Sequence, residues 1–271
     1  MTQEAPRSAR PRPQFRAVSV KRVDRITPGV VRITVGGDEL AGFEPRGQAG
    51  HVRFWFPQPG EAAPIMPDWG DNGPVMREGV PRPEARVYTP RIWDADKREL
   101  SVDFIIHGEG PGSSWAESAK PGDRIVIAGP GGRFQVDPSS DWYLLAADQT
   151  GIPALATVLE ALPESIPAQV YVEVEDASEE QDLPSSKNVT LTLLHRAPNK
   201  PMGAALLDAV TKTKLPADGA GRVWVACESA IMHDIRRHLL EERKLNRTAM
   251  HTHGYWKLGA ENHPDHDYGD D

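Results

Sequence analysis

The chain has 271 residues, enough for about two domains that each bury a core of their own. Its formal net charge of −8 argues against a protein that binds nucleic acid or an anionic membrane over its whole surface. No apolar stretch approaches the roughly 20 residues of a membrane span, and the first residues show no signal-peptide pattern. The single cysteine, Cys227, excludes an intramolecular disulfide and a cysteine zinc cage. We therefore expect a cytoplasmic monomer with no nucleic-acid partner and no membrane span.

Charge is distributed unevenly along this acidic chain. Residues 1–15 carry prolines and arginines without apolar periodicity, which predicts a disordered or surface-draped arm. Residues 261–271 form an acidic tail. Residues 243–257 contain four basic side chains and no carboxylate. Such a basic island favours either a local anionic ligand or a plain solvated face.

The first half of the chain is predicted to be β-structure. Short segments rich in Val, Ile and aromatic residues alternate with Gly and Pro. They lie at 17–20, 30–35, 51–56, 86–93, 100–106 and 124–128. These segments predict a small six-stranded antiparallel β-barrel over residues 16–138. The proline-rich stretch 57–83 interrupts the pattern and predicts a long excursion on the surface.

The second half has a different period, in which strands alternate with helices. Predicted strands lie at 142–147, 170–174, 189–194 and 223–227, and predicted helices at 152–162, 203–210 and 231–240. This alternation is typical of a doubly wound parallel α/β domain, here residues 139–260. A ligand can then lie across the junction of the two domains.

The segment Arg86-Val87-Tyr88-Thr89-Pro90-Arg91 combines side chains that suit a planar anionic cofactor. Strand alternation sends Arg86 and Tyr88 to the same face. An arginine offers paired donors to a phosphate, and a tyrosine ring offers a stacking surface. The alternative is an edge strand with a surface arginine and a core tyrosine.

A glycine-rich turn follows at residues 107–112 and leads into a predicted helix. We expect Ser113 or Ser114 to cap this helix. Free backbone N–H groups at a helix start can bind a phosphate. An ordinary capped helix after a turn is the alternative.

The histidines indicate no metal site. His251 and His253 lie two residues apart on a predicted strand and share a face, so they are possible ligands, but no third ligand has convincing spacing. Structural or solvent-exposed histidines are favoured. No Ser-His-Asp arrangement or carboxylate pair suggests a hydrolase.

The sequence resembles the siderophore-interacting protein family, whose members are flavin-containing ferric-siderophore reductases related to the ferredoxin reductases. The resemblance runs from about residue 15 to residue 256. It is carried by motifs in a fixed order, which are His51-Val52-Arg53-Phe54-Trp55-Phe56-Pro57, Arg86 to Arg91, Asp103-Phe104-Ile105-Ile106-His107-Gly108, Pro121-Gly122-Asp123, Ala128-Gly129-Pro130-Gly131-Gly132, Asp148-Gln149-Thr150-Gly151-Ile152-Pro153-Ala154 and Gly254-Tyr255-Trp256-Lys257.

The resemblance implies a barrel that binds FAD. Arg86 would contact the pyrophosphate, Tyr88 would stack on the isoalloxazine ring, and Thr89 would hydrogen-bond near its N5 atom. Tyr88 and Thr89 would thus have the catalytic role. The remaining cofactor contacts would come from Asp103, Ile105, His107, Gly110, Ser113 and Thr150.

The electron donor would bind the second domain, since doubly wound sheets bind nucleotides at the carboxyl ends of their strands. No Gly-x-Gly-x-x-Gly motif is present, and we expect Asp148 to repel a pyrophosphate. These features favour transient binding of the nicotinamide over a tightly bound dinucleotide. NADH, NADPH or a reduced ferredoxin remain possible donors. Cys227 is either a small buried residue or a contact in the donor pocket.

The substrate implied by the resemblance is an anionic ferric siderophore. Hard oxygen donors hold iron(III), so the enzyme needs cations near the flavin and not iron ligands. The candidates are Arg53, Arg133, Arg247 and Lys257. Our hypothesis is a ferric-siderophore reductase that releases iron(II). The alternatives are a general flavin or ferredoxin-type reductase with another acceptor, and a non-catalytic siderophore-binding module.

Overall fold

The computed structural model describes residues 14–70, 73–108, 110–261, 263 and 267–269. Most of the predicted arm and part of the predicted acidic tail lie outside these residues. The described chain forms a seven-stranded antiparallel sheet, a five-stranded parallel sheet and a short two-stranded sheet. The predicted fold class, a β-domain followed by a parallel α/β domain, is confirmed. None of the described helices is long and apolar enough to cross a membrane.

The first half of the chain forms a curved antiparallel sheet that resembles a barrel but does not close. Its elements are β1 Phe15–Thr27, β2 Val30–Gly36, β3 His51–Trp55, β4 Asp68–Gly70, β5 Gly73–Val75, β6 Ala85–Tyr88, β7 Ile92–Asp94, β8 Glu99–Ile105, α1 Pro111–Ser118 and β9 Arg124–Gly131. The strand order is β6-β3-β9-β1-β2-β8-β7, with β4 and β5 paired apart from it. Both edge strands, β6 and β7, flank the segment Thr89-Pro90-Arg91.

Two sequence predictions in this half need correction. The strand predicted at 86–93 is divided into β6 and β7, because Pro90 has no N–H to continue a ladder. The sheet therefore has seven strands and not six. The helix after the glycine turn begins at Pro111 with Gly110 at its N-cap, so neither Ser113 nor Ser114 is the cap. The excursion at 57–83 contains the β4–β5 hairpin.

Alternating residues of these strands build the first hydrophobic core. Buried side chains of β1, β2, β3, β8 and β9 meet inside the curved sheet. Phe54 and Phe104 are almost completely buried, and their ring centroids lie 5.7 Å apart. The indole of Trp115 on α1 packs against this core. Helix α1 thereby holds the end of the glycine turn against the sheet.

The second half is a parallel sheet with helices on both faces. Its elements are β10 Trp142–Asp148, α2 Ile152–Ala161, β11 Ala168–Val174, β12 Val189–His195, α3 Ala204–Lys212, β13 Gly221–Glu228, α4 Ser229–Arg237 and β14 Met250–Trp256. The strand order β12-β11-β10-β13-β14 places β10 at the centre. Odd-numbered residues of β10 pack against α2, and even-numbered ones pack against α3 and α4. Cys227 is 1% exposed within the second of these clusters.

Polar contacts join the two halves. Arg91 forms a 2.8 Å ion pair with Glu160 on α2. The backbone N–H of Ala49 donates to the Thr157 hydroxyl at 2.8 Å. The carboxylate of Glu179 accepts hydrogen bonds from Thr27 and from the backbone N–H of Gly29. Residues of α2 and of the loop after β11 therefore hold the α/β half against the β-domain.

Candidate active site

A cavity of about 2050 Å³ lies between the two halves and is lined by residues from both. Its volume exceeds the roughly 300–1,000 Å³ of an ordinary small-molecule pocket. Nearly all of the sequence-predicted site residues line it. They are Arg86, Tyr88, Thr89, Asp103, Ile105, His107, Gly110, Ser113, Arg133, Thr150, Arg247 and Lys257. Residues far apart in the sequence are thus brought to one site.

The edge strand β6 presents the predicted cofactor segment to this cavity. Arg86 donates to the Ala85 carbonyl and to Glu84, with distances of 2.9 and 3.1 Å. The Tyr88 ring packs 4.2 Å from that of Phe104, and its burial raises the pKa of the phenol. The side chain of Thr89 is hydrogen-bonded to the hydroxyl of Tyr255 from the α/β half. The predicted flavin-facing segment is therefore supported from both domains.

The glycine turn before α1 has open backbone facing the cavity. Gly108 and Gly110 have φ values of 79° and 84°, which glycine adopts without strain. Chain neighbours aside, no atom of the described residues lies within 4 Å of a Cβ built on Gly108. The Ser113 hydroxyl accepts the backbone N–H of His107 at 3.0 Å and closes the turn. This arrangement leaves room for a phosphate to approach the backbone.

The carboxylate of Asp103 is occupied by another protein group. Arg32 donates to its two oxygens at 2.6 and 2.8 Å, and Asp103 is 5% exposed. This paired contact between β2 and β8 fixes the strand that carries Ile105 and leads to His107. The side chain of Asp103 thus positions the strand backbone along the cavity wall.

Asp148 at the end of β10 is the centre of a buried hydrogen-bond network. Its carboxylate accepts the backbone N–H and hydroxyl of Thr150, the backbone N–H of Glu228 and the indole N–H of Trp256, at 2.6 to 2.8 Å. Burial nevertheless raises the pKa of this carboxyl. Its oxygens are occupied by donors from the protein, and the repulsion of a pyrophosphate by Asp148 stays a prediction. The network fixes Thr150 at the cavity.

The predicted substrate cations are placed differently from one another. Arg133, Arg247 and Lys257 line the cavity. Arg53 is exposed on β3 outside that lining, although it lies close enough to His51 to lower the pKa of its imidazole. His51 at the start of β3 lines the cavity, and Arg53 lies two residues, or about 7 Å, further along the strand.

Two charged residues that the sequence interpretation missed lie at the far end of the cavity. Glu173 lies near the end of β11, the strand that pairs with β12. Its carboxylate accepts hydrogen bonds from the backbone N–H groups of Gly203 and Leu206 at 2.7 and 2.9 Å. Arg196 follows β12, and its Nε lies 4.0 Å from Glu173. Within the described part of the chain, this buried Nε has no hydrogen-bond partner. Their only sequence signal was a position after strands of a parallel sheet.

Three further residues contribute to the site although the sequence predicted no role for them. Tyr255 and Trp256 belong to the Gly-Tyr-Trp-Lys motif, and the structure shows that they contact Thr89 and Asp148. Glu179, which also accepts a hydrogen bond from Gln149 at 2.7 Å, belongs to no motif. Its role depends on contacts with residues about 150 positions away in the sequence.

Comparison with known proteins identifies the relatives of this chain. Residues 19–134 match the family model of the siderophore-interacting FAD-binding domain, and residues 140–259 match that of the siderophore-interacting protein. A siderophore utilization protein from T. fusca is 38% identical, with a TM-score of 0.83 over 94% of this chain and 97% of that one. The chain belongs to the siderophore-interacting protein family.

Curated relatives of this family member include two reductases. Ferric vibriobactin reductase ViuB of Vibrio cholerae is 28% identical over 90% of this chain and 90% of its own length. The NADPH-dependent ferric-chelate reductase of Escherichia coli is 43% identical over 55% of this chain and 58% of its own. Several more distant solved structures, including a ferredoxin NADP+ reductase at 15% identity and a TM-score of 0.61, share the fold.

FAD is the cofactor of this family member, and the cavity fits it. The open backbone of Gly108 and Gly110 provides a cradle that side chains would obstruct. Gly112 lies so close to the Tyr88 hydroxyl that a Cβ there would overlap it. The Arg86 and Tyr88 side chains of β6, and Thr89 directly after it, line the same cavity. These features suit a phosphate-bearing planar molecule.

Proposed function

We propose that the protein is an FAD-dependent ferric-siderophore reductase that takes electrons from NADPH and releases iron(II). The observation that carries the proposal is the single cavity, in which the β6 cofactor segment and the cations Arg133, Arg247 and Lys257 meet. Bound FAD supplies the chemistry, since it accepts two electrons from a pyridine nucleotide and can pass them on singly. The chain's own residues bind and orient the reactants.

Each domain would hold one side of the reaction. In the β-domain, residues 16–138, Arg86 and the turn at Gly110 would contact the phosphates of FAD, while Tyr88 and Thr89 would contact its ring. The neighbouring backbone of Asp103, Ile105 and His107, together with Ser113 and Thr150, would complete the cofactor site. Residues 139–260 would receive the donor. This division places the ring at the junction, where both donor and acceptor can reach it.

The structure favours NADPH as the donor within this proposal. Nucleotides bind at the carboxyl ends of the strands in doubly wound sheets, where an acidic residue selects the ribose hydroxyls of NAD and an arginine accommodates the phosphate of NADP. Glu173 is held by two backbone N–H groups, while the buried Nε of Arg196 makes no hydrogen bond among the described residues. The E. coli relative is NADPH-dependent by name.

The acceptor would be an anionic ferric siderophore at the cationic side of the cavity. Arg133, Arg247 and Lys257 would attract it, and a more remote Arg53 would add to the field at the entrance. Iron(II) binds hard oxygen ligands more weakly than iron(III), so reduction favours release. We propose that the protein acts as a cytoplasmic monomer, since one chain supplies both walls of the cavity.

An anaerobic titration tests this function. FAD-loaded protein should lose its flavin absorbance on addition of NADPH and regain it on addition of a ferric siderophore, with iron(II) captured by a coloured chelator. NADH and reduced ferredoxin, tested in parallel, identify the donor. Reduction of the flavin without re-oxidation by any ferric siderophore would contradict the acceptor assignment.

A further inference from the structure

Four histidines converge on the cavity from three separate segments. His51 comes from β3 of the β-domain, His251 and His253 come from β14, and His263 follows in the C-terminal segment. His51, His251 and His263 all lie close enough to His253 to influence its pKa electrostatically. The reductase function proposed above assigns no role to any of them.

Aromatic rings enclose the two β14 histidines. The centroid of the His251 ring lies 4.9 Å from that of the Phe134 ring and 6.0 Å from that of the Tyr268 ring. The His253 ring lies 4.8 Å from the rings of both Tyr255 and Tyr268. Two adjacent imidazoles are thus packed on aromatic side chains at the edge of a large cavity.

The charged groups that face this cluster are of both signs. Asp267 contacts His263 at 2.9 Å and is the carboxylate that acts on His253. Arg53 acts on His51. Arg133, Arg247 and Lys257 line the same cavity. Among the described residues, no group of three or more His, Cys, Asp or Glu side chains is arranged to hold a metal ion.

These surroundings favour the uncharged imidazoles of His51, His251 and His253 at neutral pH. Burial lowers the pKa of His251 and of His253 to about 4, and burial together with Arg53 lowers that of His51. A negative charge within about 4–6 Å of an imidazole favours its charged form and can raise its pKa by about one to three pH units. A chelate with several negative charges would therefore oppose burial and favour the imidazolium form.

We propose that His51, His251 and His253 take up protons when an anionic iron(III)–oxygen chelate enters the cavity, and donate them to its oxygen atoms when the iron is reduced. The proposal rests on the proposed reductase function and adds to it a proton source. It also selects a substrate class, since an uncharged chelate would not draw protons onto the histidines.

The proposed sequence balances protons and electrons. On binding, an imidazole nitrogen takes one proton from solvent and becomes imidazolium. On reduction, iron(III) gains one electron that originates from NADPH and becomes iron(II). An iron–oxygen bond then breaks, its electron pair remains on oxygen, and that oxygen takes the imidazolium proton. The histidine returns to its uncharged form and no longer attracts the protonated ligand, so release of both products is favoured.

Calorimetry of chelate binding measures the proton uptake directly. Oxidised, FAD-loaded protein is titrated at neutral pH with a hexadentate iron(III) tris-catecholate in phosphate and in Tris, whose protonation enthalpies differ. We expect a net uptake of about one proton per chelate bound, from the linkage between binding and histidine ionisation. An uncharged iron(III) tris-hydroxamate should give a heat that does not depend on the buffer.

Variants assign the protons to residues. The double variant His251→Gln/His253→Gln should reduce the uptake by at least half, as should His51→Gln combined with either change, while the flavin spectrum confirms a loaded fold. His195→Gln is the matched control, since His195 lies outside the cavity and pairs with Glu180. Its uptake should equal that of the wild type.

The outcomes separate this proposal from the reductase function. A catecholate that binds and is reduced, with a binding heat independent of the buffer, overturns the proton proposal alone. Unchanged uptake in both histidine variants also overturns it. If no anionic ferric chelate binds to the wild type, both the proton coupling and the proposed acceptor are rejected.

Discussion

The Glu179 carboxylate accepts the Thr27 hydroxyl at 2.5 Å, although 152 residues separate the two in the sequence. The same oxygen, Oε2, accepts a hydrogen bond from the side-chain amide of Gln149 at 2.7 Å. The other oxygen, Oε1, accepts the backbone N–H of Gly29 at 2.7 Å. One buried carboxylate thus joins the β1–β2 turn to the residue before Thr150. This contact links the relative position of the domains to the geometry of the cavity.

Glu179→Gln tests this link. The amide NH₂ would face a donor in place of one oxygen, and a buried unsatisfied group costs about 1–3 kcal/mol. We expect the free energy of unfolding in urea to fall by that amount and ferric-chelate turnover to fall with it. Glu180→Gln is the neighbouring control, because its ion pair with His195 is exposed and is worth at most about 1 kcal/mol. Equal effects of the two variants would exclude the link.

Gly112→Ala tests the cofactor site. The added Cβ would overlap the Tyr88 hydroxyl, although alanine is the better helix former. We expect the Kd for FAD, measured by flavin fluorescence, to rise by up to about tenfold, since an aromatic contact is worth about 0.5–1.5 kcal/mol. Glu117→Ala changes an exposed residue of the same helix outside the cavity and should leave the Kd unchanged. Unaltered FAD binding in Gly112→Ala would contradict a role for Tyr88.

Strand patterns and motif order were sufficient to predict the fold class and a set of residues that line the cavity. The apolar run of β10 reflects burial on both faces of the strand, and the alternation over the first half of β1 reflects burial on one face; these burial patterns decide the fold class. Motif residues such as Arg86 and Thr150 line the cavity, while their contacts with the cofactor stay predictions.

Other features depend on contacts that no local pattern records. Two of the four donors around Asp148 come from Thr150 in the same turn, but the other two come from β13 and β14, so its burial was not visible in the Asp-Gln-Thr-Gly turn. Arg53 shares a face with His51, but His51 lines the cavity and Arg53 does not. The helix cap was misplaced because Gly110 can begin a helix without a side-chain hydrogen bond, with Pro111 fixing the first turn.

Arg196→Ala tests the choice of donor. If its guanidinium contacts the phosphate that distinguishes NADPH from NADH, the variant should raise the KM for NADPH by about tenfold or more, since a charge-assisted hydrogen bond is worth about 1.5–3 kcal/mol. The KM for NADH should change little. The exposed Arg98→Ala, whose partner Asp38 lies in the β-domain, serves as the control. Parallel changes for both nucleotides would indicate that Arg196 has no selective role.

Lys257→Glu tests the acceptor side of the cavity. Reversal of a charge near the chelate should raise the KM for an anionic ferric siderophore about tenfold at low salt, and the difference from wild type should shrink as salt screens the interaction. Lys187→Glu makes the same change at an exposed residue outside the cavity. The KM for NADPH and the Kd for FAD should not change in either variant. A KM for the chelate that is insensitive to Lys257→Glu would remove this residue from the docking surface.

The half-buried histidines of β14 predict an acid-sensitive stability. His251 and His253 have a pKa of about 4 in the folded protein, against an ordinary value of 6.5. The unfolded chain therefore binds more protons between these values, so the free energy of unfolding is highest above pH 6.5 and falls as the pH decreases toward 4. At about 1.4 kcal/mol per unit of pKa, each histidine accounts for a loss of at most about 3 kcal/mol.

Urea unfolding from pH 7 to pH 4 measures this loss. The double variant His251→Gln/His253→Gln cannot take up these protons, so its stability should decline less steeply over the same range. His195→Gln should retain the slope of the wild type, because His195 is exposed. If the double variant and the wild type have the same slope, the two imidazoles are not held uncharged in the folded protein, and the proton coupling to chelate binding loses its physical basis.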